Sequence, residues 1–380
     1  MRSINPAMSH RMSFLEIKNH FGRTTEVKHS FSYALITSAA TLVMVMPALA
    51  ASDDLLEAAR KEGSVTIYSA TDQAQAQAAL EAFAKKYPGI RVDYNDIGTN
   101  GVYNRVISEA AAKQVSGDVF WTSAMDQGVK LAVDGYLETY KSTESASLPS
   151  WAVYKDIVYA TSIEPIGMIY NKTALPEDKV PQTREDLIKF ISSGEYNGRI
   201  ATFDPEKSGV GFLIQTNDMD NTTNFWDLTK ALGTAKGKSY SSTGSMRETV
   251  VSGENVIAYN LIGSYALDWV KSAPNLGVAF GKDYTPAFSR VAGVLKDAPH
   301  PNAGKLFIDF LLSQEGQTAL ASKGMPALRK DATEGYNIDT LNELVGGNLK
   351  PIALDETLLQ FMDPMKRLKF LNEWRAALKG

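Results

Sequence analysis

The sequence predicts an α/β protein of two lobes with a cleft between them, and three observations carry that reading. Residues 64–135 alternate short strand-like runs with longer helical ones. A second alternating series begins near residue 182, after two extended segments within 154–171. One further strand, "RVAGVLKD" (290–297), arrives when that series has ended. Alternation of strand and helix implies parallel strands joined by right-handed crossovers. The late strand implies a chain that crosses between lobes near 160 and returns near 285.

Taken in order, "SVTIYSA" (64–70) is a strand of β-branched and aromatic residues, and "DQAQAQAALEAFAKKYPG" (72–89) is a helix that Pro88 and Gly89 end. "IRVDYND" (90–96) is the second strand, "GTNGVYNRVISEAAAKQ" (98–114) a loop and helix, "GDVFWTSA" (117–124) the third strand, and "DQGVKLAVDG" (126–135) a helix. The second series runs from "TREDLIKFISSG" through "GRIATFD", "NFWDLTKALG", "GSMRETVVSG" and "NVIAYN" to "LGVAFG". "NAGKLFIDFLLSQEGQTALASKG" (302–324) reads as two helices with a break near Ser313. We expect residues 51–160 with 286–330 to form one lobe, 161–285 the other, and 331–380 a C-terminal helical segment packing on both.

The first 50 residues stand apart. "FSYALITSAATLVMVMPALA" (31–50) is uncharged and apolar, follows Lys28, and closes on Ala48-Leu49-Ala50, the pattern of a secretory signal. Cleavage is expected after Ala50, with export to the periplasm. The five basic and two acidic residues before that point leave 34 Lys and Arg against 41 Asp and Glu, a net charge near −7, which argues against a nucleic-acid partner. The chain has no cysteine, so disulfides, thiolate metal sites and cysteine nucleophiles are all excluded. Stability must therefore come from burial, and a monomer is expected.

The segments "SVTIYSATDQAQAQAALEAFAKKYPGIRVDY", "GDVFWTS", "IGMIYN", "IATFDPEKSGVGF" and "HPNAGKLFIDFLLSQEGQTALASKGMPALR", in that order, resemble the periplasmic solute-binding proteins of ABC importers, in the branch that includes ferric-iron-binding proteins. The resemblance implies the two-lobed type II periplasmic binding protein fold, with a hinge and a ligand cleft. It further implies a small-molecule solute, delivery to an ABC permease in the inner membrane, and no resident cofactor.

Ligands of open parallel sheets sit at the carboxyl ends of the strands. In the first lobe those ends carry Ser69, Thr71 and Asp72, then Thr99 and Asn100, then Thr122 and Ser123. In the second they carry Asp204, Ser208 at a helix start, and Ser241, Ser242 and Thr243 before another helix. Helix N-termini offer free amides and partial positive charge, and added hydroxyls make an anion cradle that needs no arginine. These residues, with Tyr259 stacking on the ligand or closing the pocket, are the expected binding set for a small polar anion such as a phosphorylated sugar or a phosphonate. The same hydroxyls would also serve as ordinary helix caps.

Of Tyr259 and Tyr265, one is expected to stack on the ligand or close the pocket while the other packs in the lobe core; the alternative is ferric iron held by both. Iron-binding relatives use two adjacent tyrosines with a histidine and a carboxylate. Here the tyrosines are six positions apart, and the one histidine after residue 50, His300, lies in the loop "APHPNAG". An enzyme is not expected: no Gly-x-Ser-x-Gly, His-Glu-x-x-His or phosphate loop is present, and although Asp72, Asp204 and Glu164 could form a carboxylate pair, carboxylates in a binding cleft more often accept hydrogen bonds from sugar hydroxyls or ammonium groups.

Overall fold

The computed structural model describes residues 48–379. The leader reading of residues 1–50 lies outside them, up to residue 47. The chain opens with α1 (Ala48–Glu62), β1 (Ser64–Ser69), α2 (Gln73–Lys86), β2 (Arg91–Asp96), α3 (Thr99–Ala112), β3 (Val119–Thr122) and α4 (Met125–Val133). From β1 to α4 these match the expected elements to within a few residues at each end, while α1 was not expected. After β4 (Val153–Tyr154) and β5 (Val158–Ala160), the long β6 (Glu164–Asn171) begins the second series. That series contains α5 (Arg184–Ser192), β7 (Ile200–Phe203), α6 (Gly209–Asn221), α7 (Phe225–Thr234), β8 (Lys238–Tyr240), α8 (Thr243–Val251), β9 (Ile257–Ile262), α9 (Gly263–Trp269), β10 (Leu276–Ala279) and β11 (Thr285–Phe288). The chain returns through β12 (Val291–Val294) to α10 (Pro301–Leu312) and α11 (Gln314–Ser322), and ends with α12 (Ile338–Leu344), β13 (Leu349–Pro351), a 3-10 segment (Glu356–Met362) and α13 (Pro364–Lys379).

Two sheets organise these elements. The first has strand order β2-β1-β3-β12-β5-β4, with β1 parallel to both β2 and β3, and β12 antiparallel to β3 and β5. The second has order β13-β11-β6-β9-β7-β8, with β10 also pairing on β6. The chain leaves the first sheet after Ala160 and enters the second at Glu164. It comes back between Phe288 and Val291. These two neighbouring crossings join the lobes.

Helices cover both faces of the first sheet, so every residue of β3 is buried. Trp121 in β3 is fully enclosed, and its indole N–H donates to the Thr161 hydroxyl at 2.9 Å. On the same side Phe83 of α2 meets Phe307 of α10 edge-on at 5.1 Å. His300 caps no ligand: its Nδ1 lies 3.1 Å from Asp118 Oδ2, and its backbone N–H donates to Asp118 Oδ1 at 2.6 Å, which pins the start of α10 to the sheet. The C-terminal segment was expected to be helical, yet Leu349–Pro351 pairs in parallel with Thr285–Ala287 as an edge strand. A sheet edge is one of the places where a proline lacking its N–H is tolerated.

Asp126, in the first turn of α4, is buried among α4, α6 and the 3-10 segment, and one of its carboxylate oxygens has no hydrogen-bond partner among the described residues. Burial pushes its pKa up to about 6 from the ordinary 3.8, against a weaker opposing pull from Arg367. Because the folded-state pKa is the higher one, protonation favours the fold. The contribution is complete below pH 3.8 and is lost as pH rises through 6. Asp126→Asn is therefore expected to stabilise the protein at pH 7 by about 2–3 kcal/mol and to flatten the fall in stability between pH 4 and 6, as read by denaturant unfolding across that range.

Candidate functional site

The carboxyl ends of β1, β2 and β3 in the first lobe face those of β7, β8 and β9 in the second, and between them lies a cavity of about 200 Å³. From the first lobe come Asp72, Asp96, Gly98, Thr99 and Ser123. From the second come Ser208, Val210, Ser241, Ser242, Thr243, Gly244 and Tyr265, with Phe203 and Ile262 below them. Arg290, between the crossings, forms part of the floor. Among the residues expected from sequence, Asp72, Thr99, Ser123, Ser208, Ser241, Ser242 and Thr243 line this one cavity.

Three helices begin at its wall. Ser208 caps α6, accepting from Gly211 N–H at 3.1 Å, and Ser242 caps α8, accepting from Ser245 N–H at 3.1 Å. That leaves the amides of Thr243 and Gly244, which open α8, among those a helix cannot satisfy internally. The third helix, α3, starts at Thr99, whose hydroxyl accepts from Gly209 N–H at 3.1 Å. This bond joins the two lobes directly across the cleft. Facing these starts, on the first lobe, are the carboxylates of Asp72 and Asp96. Partial burial raises the Asp96 pKa, and the neighbouring Asp72 charge reinforces the shift.

Arg290 is the residue that sequence reading missed. It is 1% exposed, and its Nε donates to Glu164 Oε1 at 2.8 Å. Nη1 donates to the Thr71 hydroxyl at 2.9 Å and Nη2 to the Tyr265 hydroxyl at 2.8 Å. Glu164 also accepts from Ser162 Oγ at 2.8 Å and Ser264 Oγ at 2.5 Å. The guanidinium charge is thus cancelled by a buried carboxylate, and the cavity's attraction for an anion rests on the helix starts and hydroxyls. Burial raises the Tyr265 pKa, with Arg290 opposing, so its phenol is a neutral group at the cavity floor.

The remaining expected residues lie elsewhere. Ser69 is buried under the cavity, with its hydroxyl donating to Trp121 O at 3.1 Å, and Thr122 Oγ1 accepts from Ala124 N–H at 3.2 Å. Thr71 is fully buried beneath Arg290. Asn100 accepts from Gln127 Nε2 at 2.9 Å, at the lobe-to-lobe contact around Gly209. The Asp204 carboxylate accepts from Glu206 and Lys207 N–H at 2.9 and 3.3 Å, which closes its own turn. Tyr259 departs furthest: it is 2% exposed, on the other face of β9, beside a separate cavity of about 30 Å³ lined by Arg184, Asp218 and Tyr284. Tyr259 and Tyr265 therefore line different cavities. Among the described residues no group of three or more His, Cys, Asp or Glu is placed to hold a metal.

Larger hollows, of about 490 and 530 Å³, lie along β6 and β10 beneath the α12–β13 turn and beside Trp226 and Glu373. Neither draws together hydroxyls and helix starts from both lobes.

Residues 69–318 match the family described as bacterial extracellular solute-binding protein. The chain belongs to this family. It is 34% identical to the substrate-binding protein of an ABC transporter from Agrobacterium tumefaciens, covering 83% of this chain and 94% of that one with a TM-score of 0.79. A protein of Salmonella typhimurium named as a putative 2-aminoethylphosphonate-binding periplasmic protein is 26% identical over 289 residues, 72% of this chain and 81% of that one. The structure of AfuA from Actinobacillus pleuropneumoniae with fructose-6-phosphate has the same fold, with a TM-score of 0.67 at 21% identity over 83% of this chain and 99% of that one. The molecule is thus a type II solute-binding protein of the ABC importer class, and no described helix is long and apolar enough to cross a membrane.

In this solute-binding protein the lobes approach closely at Gly209, where a Cβ would stand 2.8 Å from Gln127 Nε2, 3.0 Å from Thr99 Oγ1 and 3.2 Å from Asn100 Oδ1. Gly209→Ala is expected to leave each lobe folded but to hinder closure, weakening solute binding by about 1–3 kcal/mol, the usual cost of overpacking. Isothermal titration calorimetry with a solute that the wild type binds checks this, and unchanged affinity would mean that the lobes bind without that contact.

Proposed function

We propose that the protein captures a small solute bearing a phosphonate or phosphate group and a positively charged amine, and delivers it to an inner-membrane permease. The observation that carries this reading is the polarity of the cleft. The starts of α6 and α8 with their serine and threonine hydroxyls form one wall, and Asp72 and Asp96 form the other. A tetrahedral anion suits the helix starts. Two nearby carboxylates, one with a raised pKa, favour a cation between them, because a positive charge relieves their mutual repulsion. The Salmonella relative named for 2-aminoethylphosphonate, a molecule with one group of each kind, supports this choice over an uncharged sugar phosphate. In this reading the protein is exported with its leader removed after Ala50, works as a monomer, and does no chemistry on its cargo.

Calorimetry with 2-aminoethylphosphonate, inorganic phosphate, fructose 6-phosphate and ferric citrate tests the proposal. We expect 2-aminoethylphosphonate to bind most tightly, and ferric citrate to give neither heat nor the colour of an iron–phenolate complex. Asp96→Asn is expected to weaken 2-aminoethylphosphonate binding by about 1.5–3 kcal/mol, the worth of a hydrogen bond to a charged group, while leaving inorganic phosphate binding within a factor of two. Equal losses for both ligands would place the amine elsewhere.

A further inference from the structure

The C-terminal segment does more than pack on the surface. β13 extends the second sheet beside β11, and Ile352 N–H donates to Ala287 O at 2.8 Å. The chain then crosses to the first lobe. Leu354 N–H donates to Trp151 O at 2.9 Å, Glu356 accepts from Tyr154 Oη at 3.0 Å and pairs with Lys155 Nζ at 2.6 Å, and the 3-10 segment lies against α4. Finally α13 returns to the second lobe. There Phe370 and Trp374 join Phe212 and Phe225 in one aromatic cluster, and Arg375 forms two hydrogen bonds to Glu206 at 2.6 and 2.9 Å.

The two attachments differ in kind. On the second lobe the grip is strand pairing, buried aromatic packing and a backbone approach so close that a Cβ on Gly233 would stand 2.3 Å from Ala377 O. On the first lobe it is one backbone hydrogen bond, the hydrogen bond from Tyr154 to Glu356, an ion pair whose side chains are 62% and 60% exposed, and the packing of the 3-10 segment on α4. An exposed ion pair contributes little. The second grip is the more deeply buried of the two.

We propose that residues 349–379 form a strap fixed to the second lobe and releasable from the first, so that its hold on α4 and on the Trp151–Lys155 turn sets how far the unliganded lobes stand apart. The two crossings fix the hinge axis, and the strap is a third link that opening must break. Solute affinity then depends on residues that never touch the solute, because a lobe pair already drawn together has less closure to complete.

Small-angle scattering of the ligand-free protein tests this, with Glu356→Lys and Leu358→Ser made singly and together. Neither position lines the cleft, and Glu356 is exposed, so its charge reversal leaves both sheets intact. A larger radius of gyration for Glu356→Lys than for wild type, larger again in the double variant, is the expected result, with 2-aminoethylphosphonate restoring the wild-type radius. Identical ligand-free radii for wild type and Glu356→Lys would overturn the proposal, as would expansion in Leu358→Ser that the charge reversal does not share.

Discussion

A buried arginine between two chain crossings fixes the geometry of this molecule. Arg290 and Glu164 sit on the two segments that pass from one sheet to the other, 2.8 Å apart and nearly without solvent. Charges in such a place are expensive unless matched, and removing one partner of a buried pair typically costs about 3–5 kcal/mol. The pair therefore holds the crossings side by side. The remaining donors of Arg290 reach Thr71 in one lobe and Tyr265 in the other, so the same side chain also sets how the lobe ends face each other.

The electrostatics of the cleft follow from this. With its charge spent on Glu164, Arg290 braces the floor and adds little net field, and the attraction for an anion comes from the starts of α6 and α8. Dipoles and hydroxyls are fixed by the fold before any ligand arrives, so binding need not reorganise them. The contact between Thr99 and Gly209 shows how little separates the closed lobes, and it encloses the polar groups in a space about the size of a small metabolite. Asp72 and Asp96 also feel the Arg290 charge but have no ion-pair partner among the described residues. They remain as negative charge on the first-lobe side, which gives the cavity two poles.

Much of the architecture was legible in sequence because alternating strands and helices have distinct periods, and because turn residues such as Pro88-Gly89 mark their ends. The site was partly legible for the same reason: hydroxyls at strand ends and helix starts point where the topology sends them, as Thr99, Ser208 and Thr243 do. Tyr259 failed because side chains alternate across a strand, and its place in β9 turns it to the second lobe's interior. Tyr265, at the start of the following helix, is carried to the cleft instead. Asp204 was a strand-end carboxylate that the local turn consumed. β13 escaped notice because three residues with a proline carry no strand signal. Arg290 left a usable sign: it is the single charge in "YTPAFSRVAGV", as Glu164 is in "IVYATSIEPIGMIYN". Two isolated opposite charges in buried strands must find each other or face the cost of desolvation.

The two poles of the cleft are most directly examined by a crystal structure of the protein with 2-aminoethylphosphonate. The account predicts phosphonate oxygens within hydrogen-bond distance of the Thr243 and Gly244 amides, the ammonium between Asp72 and Asp96, and an intact Arg290–Glu164 pair. A phosphonate bound directly to a guanidinium freed from Glu164, or a ligand outside the interlobe cavity, would contradict it.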